Sequence, residues 1–497
     1  MDVSSHRTAA HTNGGNGFAQ PFTASKPYNI VVASLPFWGH LLPAVRAAGD
    51  LVKRGHSVTV LTSRATATRL EALPEAKGFE LAFLDDFKTQ ADADAFGTKV
   101  SSLMPICYAH ASPWVREAHA RKPIDYAIVD FMSAGYGKAF REMGIRYMIN
   151  LPGPESCLQF SHGMKFAAPP GMSVLGLLWS MMWKGNLGFV SHIMALRTQI
   201  RAVCLGRPCL LHTVPSMFWA PSNVLPPNVR AVGAVCPKLN AGLEGGSIEP
   251  LPAELEQFIT GSPKPVVLMT LGSTPNALDP QQVTKVITGL RDDRWKAIAV
   301  VHQSVREKLP EEIKSSKDIL FVGWIPQAQL MARPEVAAVI THCGWGATLE
   351  TVKAGKPTVC LPSFGDQHGN ARIMESKGMA IRLDIGTFTV KELNTAVSDI
   401  LMKPSFREAA EKLSQALTEE SGGPAAVADF VEELVATEPS LVNSSLNPPD
   451  VTLDLPSVRA TSLPMAVSVA VGVTAVTLAA APMLLRLTSR FAAAVAR

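Results

Sequence analysis

Short apolar runs alternate with helical stretches through both halves of the chain, and few folds accept that order. In the first half, 28–35, 57–62 and 124–130 read as strands. Between the first two, 41–56 carries Leu42, Val45, Ala48, Leu51 and Val52 at helical spacing and stops at Gly55. The second half restarts the pattern. Strands are expected at 265–271, 296–301, 319–324, 336–342, 357–362 and 379–384, with a helix near 280–290 and helical segments to about residue 437. Short strands joined by crossover helices argue for parallel, doubly wound sheets. The expected fold class is α/β, with one such domain in each half of the chain.

Residues 236–264 are rich in Gly, Pro and Ser and read as a linker with one short helix. The chain then divides into an arm (1–27), a first domain (28–237), a linker (238–263), a second domain with closing helices (264–437), a Pro/Ser-rich tether (438–462) and an apolar tail segment (463–485). A length of 497 residues and an apolar content of 47% allow two or three domains with sizeable cores. The net charge is only +4 and shows no basic cluster, which argues against a nucleic-acid partner. The seven cysteines are odd in number, irregular in spacing and lack a C-x-x-C. They argue against a disulfide framework or a zinc site and suit a reducing compartment.

The arm lacks the apolar core of a secretory signal and reads as disordered. The 463–485 run carries no charge and is long enough to span a bilayer; Arg486, Arg490 and Arg497 follow it. The expectation is a single C-terminal membrane helix in a tail-anchor arrangement, with the two domains in the cytosol. The other reading is a surface-lying apolar tail. A tail anchor would carry the three arginines across the membrane, whereas the positive-inside preference would keep them in the cytosol, so sidedness stays open. A second uncharged run, 166–183, contains Trp179 and Trp183 and reads equally as a buried helix or as an apolar pocket wall or membrane-facing patch.

Ligands of open α/β sheets bind beyond the carboxyl ends of the strands, so strand ends hold the candidate chemistry. The stretch 339–362, VITHCGWGATLETVKAGKPTVCLP, reads as strand, Gly-rich turn, helix, turn and strand. Glycines let a backbone approach a ligand, and a helix N-terminus offers free N–H groups and a partial positive charge. His342 adds a donor, Ser273 and Thr348 add hydroxyls, and Glu350 adds a carboxylate suited to a ribose diol. Together they outline a nucleoside-diphosphate site. No G-x-x-x-x-G-K-[ST] and no G-x-G-x-x-G occurs, which excludes a P-loop and weakens a dinucleotide reading. In the first half, His40 follows the first strand and Asp130 ends another. An imidazole with an ordinary pKa of about 6.5 suits a general base, and a carboxylate can orient it.

The run Trp324-Ile325-Pro326-Gln327, then Thr341-His342-Cys343-Gly344-Trp345, Glu350, Gly355, Pro357, Pro362 and Asp366-Gln367 resembles the signature box of UDP-dependent glycosyltransferases. That family includes plant secondary-product glucosyltransferases and animal glucuronosyltransferases. Gly39-His40 with Pro43 resembles the family's G-H-x-x-P. The resemblance implies a GT-B architecture of two Rossmann-like, doubly wound parallel-sheet domains facing a cleft, to which the tail adds a C-terminal apolar helix. It also implies an inverting transfer of a hexose, glucose foremost, from UDP-sugar to a hydroxyl of an apolar small molecule or lipid, with no cofactor and no obligatory metal. By the same resemblance, Trp324 would stack on uracil with Gln327 beside it. His342, Ser273 and Thr348 would hold the diphosphate at the helix mouth, where Gly346 lies, and Glu350 would bind the ribose. Trp345, Asp366 and Gln367 would face the transferred sugar, His40 would take the acceptor proton, and Asp130 would hold the imidazole. Plant members read His-Cys-Gly-Trp-Asn-Ser, and the last two positions here are Gly346 and Ala347. That departure bears on donor affinity and identity. A catalytically silent GT-B nucleotide-sugar binder is the main alternative, against which the presence of both His40 and Asp130 argues. A Rossmann oxidoreductase is a further one, against which the missing glycine fingerprint argues.

Overall fold

The computed structural model of the chain describes residues 26–73, 76–87, 103–158, 204, 206–218, 225, 228–236, 251–272, 280–363 and 366–436. The expected tail helix at 463–485, the apolar run at 166–183 and the candidate Ser273 lie outside these residues.

Strands β1 (Asn29–Ala33), β2 (Ser57–Ser63), β3 (Glu80–Leu84), β4 (Tyr126–Asp130), β5 (Tyr147–Leu151), β6 (Cys209–Leu211) and β7 (Val229–Ala231) form one parallel sheet in the order β3-β2-β1-β4-β5-β6-β7. The helices that bear on its site are α1 (Trp38–Lys53), α2 (Leu103–Arg121) and α3 (Ala134–Glu142). Strands β8 (Val266–Thr270), β9 (Lys296–Val300), β10 (Ile319–Val322), β11 (Val336–Thr341), β12 (Thr358–Cys360) and β13 (Ala380–Arg382) form a second parallel sheet in the order β10-β9-β8-β11-β12-β13. Its helices include α4 (Pro280–Leu290), α5 (Gln327–Met331), α6 (Trp345–Lys353), α7 (Gln367–Ser376), α8 (Val390–Met402), α9 (Pro404–Glu420) and α10 (Gly423–Ala436).

Both sheets share one winding logic. The chain starts in the middle, runs out to one edge, then returns and runs out to the other. Each sheet therefore has a switch point, between β1 and β4 in the first and between β8 and β11 in the second. Neighbouring crossovers diverge there and leave a crevice at the carboxyl ends. The four strands that flank these crevices are buried almost throughout, as parallel strands covered on both faces must be.

Three differences from the sequence expectations have local causes. Helix α1 begins at Trp38, so Pro43 lies inside it and His40 sits in its first turn. Strands β3, β5, β6 and β7 and helix α2 carry too short or too irregular a pattern to be read beforehand; β6 and β7 have three residues each. The last helix, α10, follows the second domain in sequence yet packs on the first. Its Ala426, Val427, Phe430 and Val431 share a core with Leu41, Val45, Ala48 and Leu51 of α1. The closing helices of 264–437 therefore end in one that covers the first domain. A further cluster joins Val214 and Met217 of the first domain to Trp345, Leu349, Val352 and Met374 of the second.

Candidate active site

At the first switch point, α1 starts four residues after β1 leaves the sheet. Phe37 caps it in an extended conformation and offers no side-chain bond. The first turn aims His40 at Asp130, the last residue of β4, and His40 Nδ1 lies 2.8 Å from Asp130 Oδ2. Asp130 is 1% exposed, and its Oδ1 accepts the Met132 backbone N–H at 3.0 Å. A carboxylate only accepts, so the imidazole carries its proton on Nδ1 and presents a lone pair at Nε2. The His40 side chain stays 24% exposed, and its ring stacks on Phe131 at 5.4 Å between centroids. Burial pulls this imidazole down. The charge and hydrogen bond of Asp130, with a contribution from Asp366, outweigh that and leave it above 6.5.

Two residues that the sequence did not single out continue this edge. Asn150 is the register partner of Asp130 on β5. Its amide oxygen accepts from His212 Nε2–H at 2.7 Å. His212 follows β6 and is buried; burial, with a smaller effect of the His40 charge, draws it down to about 3. Both are polar residues at strand ends, the same signal that marks Asp130, but their strands were not anticipated.

At the second switch point, β8 runs into Gly272 at φ +94° and β11 runs into His342. A Cβ on Gly272 would stand 2.8 Å from His342 Nε2, and one on Gly344 would stand 2.6 Å from the same atom. The two glycines therefore create the slot in which the imidazole lies. Burial lowers His342 to about 4, so its imidazole is neutral at pH 7. Cys343 has φ +63°, the one positive value at a non-glycine among the described residues. Such a conformation persists where its surroundings enforce it. Here Asn370 Nδ2 donates to the Cys343 carbonyl at 2.9 Å. The turn delivers the chain to Gly344 as N-cap and Trp345 as the first residue of α6.

The expected donor-site residues divide into those that meet the cleft and those that do not. Trp324 follows β10 and is 66% exposed, whereas Trp38, Trp295 and Trp345 are buried. Gln327, at the start of α5, accepts from Thr270 Oγ1 at 2.8 Å and donates to Glu350 Oε2 at 2.7 Å, so β8, α5 and α6 are tied side by side. Gly346, Ala347 and Glu350 are half-buried on the open face of α6. A Cβ on Gly346 would meet nothing within 4 Å. Asp366 is exposed, yet the protein packed about its carboxyl pushes it up despite an Asn370 hydrogen bond and the nearby His40. Asn370 Nδ2 donates to its Oδ2 at 2.7 Å. Asp366 and His40 lie near enough for their charges to influence each other.

Three placements differ from the expectation. Thr348 is wholly buried, and its hydroxyl makes no hydrogen bond and does not reach the cleft. It shares the inner face of α6 with Trp345, Leu349 and Val352. Trp345 turns its indole away from the cleft, and Nε1–H donates to the His212 carbonyl at 2.6 Å. What it can offer a sugar is its backbone at the helix mouth. Gln367 is buried, with its carbonyl oxygen bound by Ser363 N–H and Oγ at 3.0 and 2.9 Å.

The comparisons with known proteins agree with this geometry. The family model described as "UDP-glucoronosyl and UDP-glucosyl transferase" matches residues 221–436, the half that holds the second switch point. UDP-glucuronosyltransferase 2B15 of Homo sapiens is 26% identical over 419 residues, covering 74% of this chain and 76% of its own. UDP-glucuronosyltransferase 2C1 of Oryctolagus cuniculus is 32% identical over 196 residues, 38% of this chain and 35% of its own. Among solved structures, Os79 from O. sativa in complex with UDP superposes with a TM-score of 0.65 at 18% identity, covering 82% of this chain and 100% of that one. A UDP-glucose: anthocyanidin 3-O-glucosyltransferase in complex with UDP gives 0.66 at 17% identity, with 83% and 100% covered. These structures share the two-sheet GT-B architecture. The family model lies on the half that holds the donor-site candidates, and relatives align along most of the chain, so the chain is similar to UDP-glucuronosyl- and UDP-glucosyltransferases.

Proposed function

We propose that the protein transfers the sugar of a UDP-sugar, a hexose such as glucose, to a hydroxyl of an apolar acceptor with inversion at the anomeric carbon. The observation that carries this reading is His40, oriented by Asp130 at 2.8 Å with Nε2 left to the cleft, across from the mouth of α6. His40 Nε2 accepts the acceptor's hydroxyl proton as its oxygen bonds to the anomeric carbon. The bond from that carbon to the phosphate oxygen breaks on the opposite side, and UDP leaves with the electron pair. Free N–H groups at the start of α6, beside which His342 lies, take up the charge that develops on the diphosphate. Trp324 gives uracil an aromatic face, Glu350 binds the ribose hydroxyls, and Asp366 binds hydroxyls of the sugar.

Incubation with UDP-glucose and a panel of phenols, sterols and hydroxylated lipids tests this directly. The expected product is acceptor enlarged by one hexosyl unit and carrying the inverted anomer by NMR. A retained anomer, or UDP-sugar binding with no transfer to any acceptor, would refute it. Trp324→Ala is expected to weaken UDP binding by about tenfold to a hundredfold, since base stacking on an aromatic ring contributes roughly 1–3 kcal/mol. Titration calorimetry with UDP measures it, and an unchanged affinity would remove Trp324 from the site. Because protein groups carry the leaving-group charge in this reading, EDTA should leave the rate within about twofold; a collapse rescued by a divalent cation would reassign that role.

The 463–485 segment, by its sequence, supports the further proposal that the enzyme works at a membrane on lipophilic acceptors. No helix among the described residues is long and apolar enough to cross a bilayer. Co-sedimentation of the full chain with phosphatidylcholine vesicles, lost on deletion of 463–497, is the outcome that supports it.

A further inference from the structure

We infer that Trp345 is a positioning residue that acts through its indole N–H and fixes the distance between the catalytic base and the diphosphate end of the donor site. The inference rests on the reading of function above and adds a residue to it.

Trp345 is the first residue of α6, so its backbone is part of the helix mouth, while its side chain reaches into the other domain. The indole is 4% exposed and packs with Val214 and Met217 of the first domain. Its N–H donates to the His212 carbonyl at 2.6 Å. His212 is held in turn by Asn150, at 2.7 Å. Asn150 lies in register with Asp130, and its backbone carbonyl accepts the N–H of Phe131 at 3.0 Å. Asp130 grips His40 at 2.8 Å. A continuous path of short, buried contacts thus runs from the donor helix to the base. A transfer between two domains needs the acceptor oxygen and the anomeric carbon within near-attack distance, and misplacement by about 1 Å costs roughly a hundredfold in rate. The indole is rigid, and its one donor leaves the helix mouth little freedom to slide against the acceptor domain.

Trp345→Phe keeps the ring and removes the donor. The expected result is a tenfold to hundredfold drop in kcat for transfer, in line with that misplacement scale. UDP affinity should stay within about twofold and the preference among UDP-sugars should not change, because the helix N-terminus is intact. Hydrolysis of UDP-glucose to free glucose should rise relative to transfer, since water tolerates a loosened geometry better than a bulky acceptor. A merely structural role would lower all activities together. Retention of kcat within twofold, a parallel loss of UDP affinity, or an altered sugar preference would overturn the inference. If Trp345→Phe fails to fold, Asn150→Ala releases His212 from the acceptor side and leaves the donor domain untouched. The same split between kcat and UDP affinity is expected, and wild-type kcat would overturn the inference. Transfer by the wild type combined with an unchanged variant defeats this inference alone. No transfer by the wild type defeats the functional reading as well.

Discussion

His40→Ala should lower kcat/KM for sugar transfer by about 10²–10⁴-fold, the range that a positioned general base contributes, and should leave UDP binding within about twofold. The two effects separate because His40 belongs to the first sheet's crevice and touches no group assigned to the nucleotide. Asp130→Asn should act through a different route. An amide can turn either its N–H₂ or its oxygen toward His40 Nδ1, so the tautomer that leaves Nε2 as the acceptor is no longer enforced. A fall in kcat that is smaller than that of His40→Ala is expected. Transfer by His40→Ala at the wild-type rate would remove the base assignment altogether.

The same pair sets a pH dependence whose sign can be worked out. His40 stands above 6.5 in the folded protein because Asp130, with a contribution from Asp366, outweighs burial. Its protonated form is inert as a base, so kcat/KM should rise with pH along a limb whose midpoint lies above 6.5. Asp130→Asn removes the largest raising influence and should move that limb to lower pH even as the plateau falls. A limb that stays in place would contradict the assignment. For stability the sign is opposite. A folded pKa above the unfolded one contributes stability that is complete below 6.5 and is lost as pH rises through the folded value. The chain thus catalyses best where this contribution to its stability has gone, as expected if Asp130 is retained for the reaction.

Much of this could be read in the residues. The strands that flank the switch points are near-continuous apolar runs, and a charged or aromatic residue closing such a run is conspicuous, as with Asp130 after Tyr126–Val129 and His342 after Val336–Thr341. The misplacement of Thr348 was legible in principle. Positions 345, 348, 349 and 352 lie on one helical face, and three of them are Trp, Leu and Val, so the fourth belongs inside with them. Gly346, Ala347 and Glu350 fall on the opposite face, which is the cleft face. Gly346 leaves room on that face, where an added Cβ would meet nothing within 4 Å. Other features left no local trace. The His212–Asn150 contact joins positions 62 apart through a three-residue strand. The return of α10 to the first domain depends on partners far apart in sequence, and an amphipathic helix shows which face it buries without showing against what.

That return is the basis of the second large effect: Glu432→Ala should destabilise the fold by about 3 kcal/mol. Glu432 lies on α10 and is buried beneath the end of α1. Its Oε1 accepts from His56 Nε2–H at 2.8 Å and its Oε2 from Arg54 at 2.9 Å. His56 is buried as well, and its Nδ1 accepts the Tyr28 backbone N–H at 3.1 Å, which assigns the remaining proton to Nε2. Removing the carboxylate leaves that N–H in a dry site with no acceptor and deprives Arg54 of one partner. Arg54 keeps Asp429 at 2.7 Å, so the loss belongs at the lower end of the roughly 3–5 kcal/mol found when one member of a buried pair is deleted. Glu432→Gln retains an acceptor for His56 and should recover a good part of the loss. Denaturant unfolding of the three proteins reads the order wild type, Gln, Ala. An alanine variant as stable as the wild type would mean that the apolar face of α10, with Phe430 and Val431, holds the helix to the first domain without help from its polar clasp.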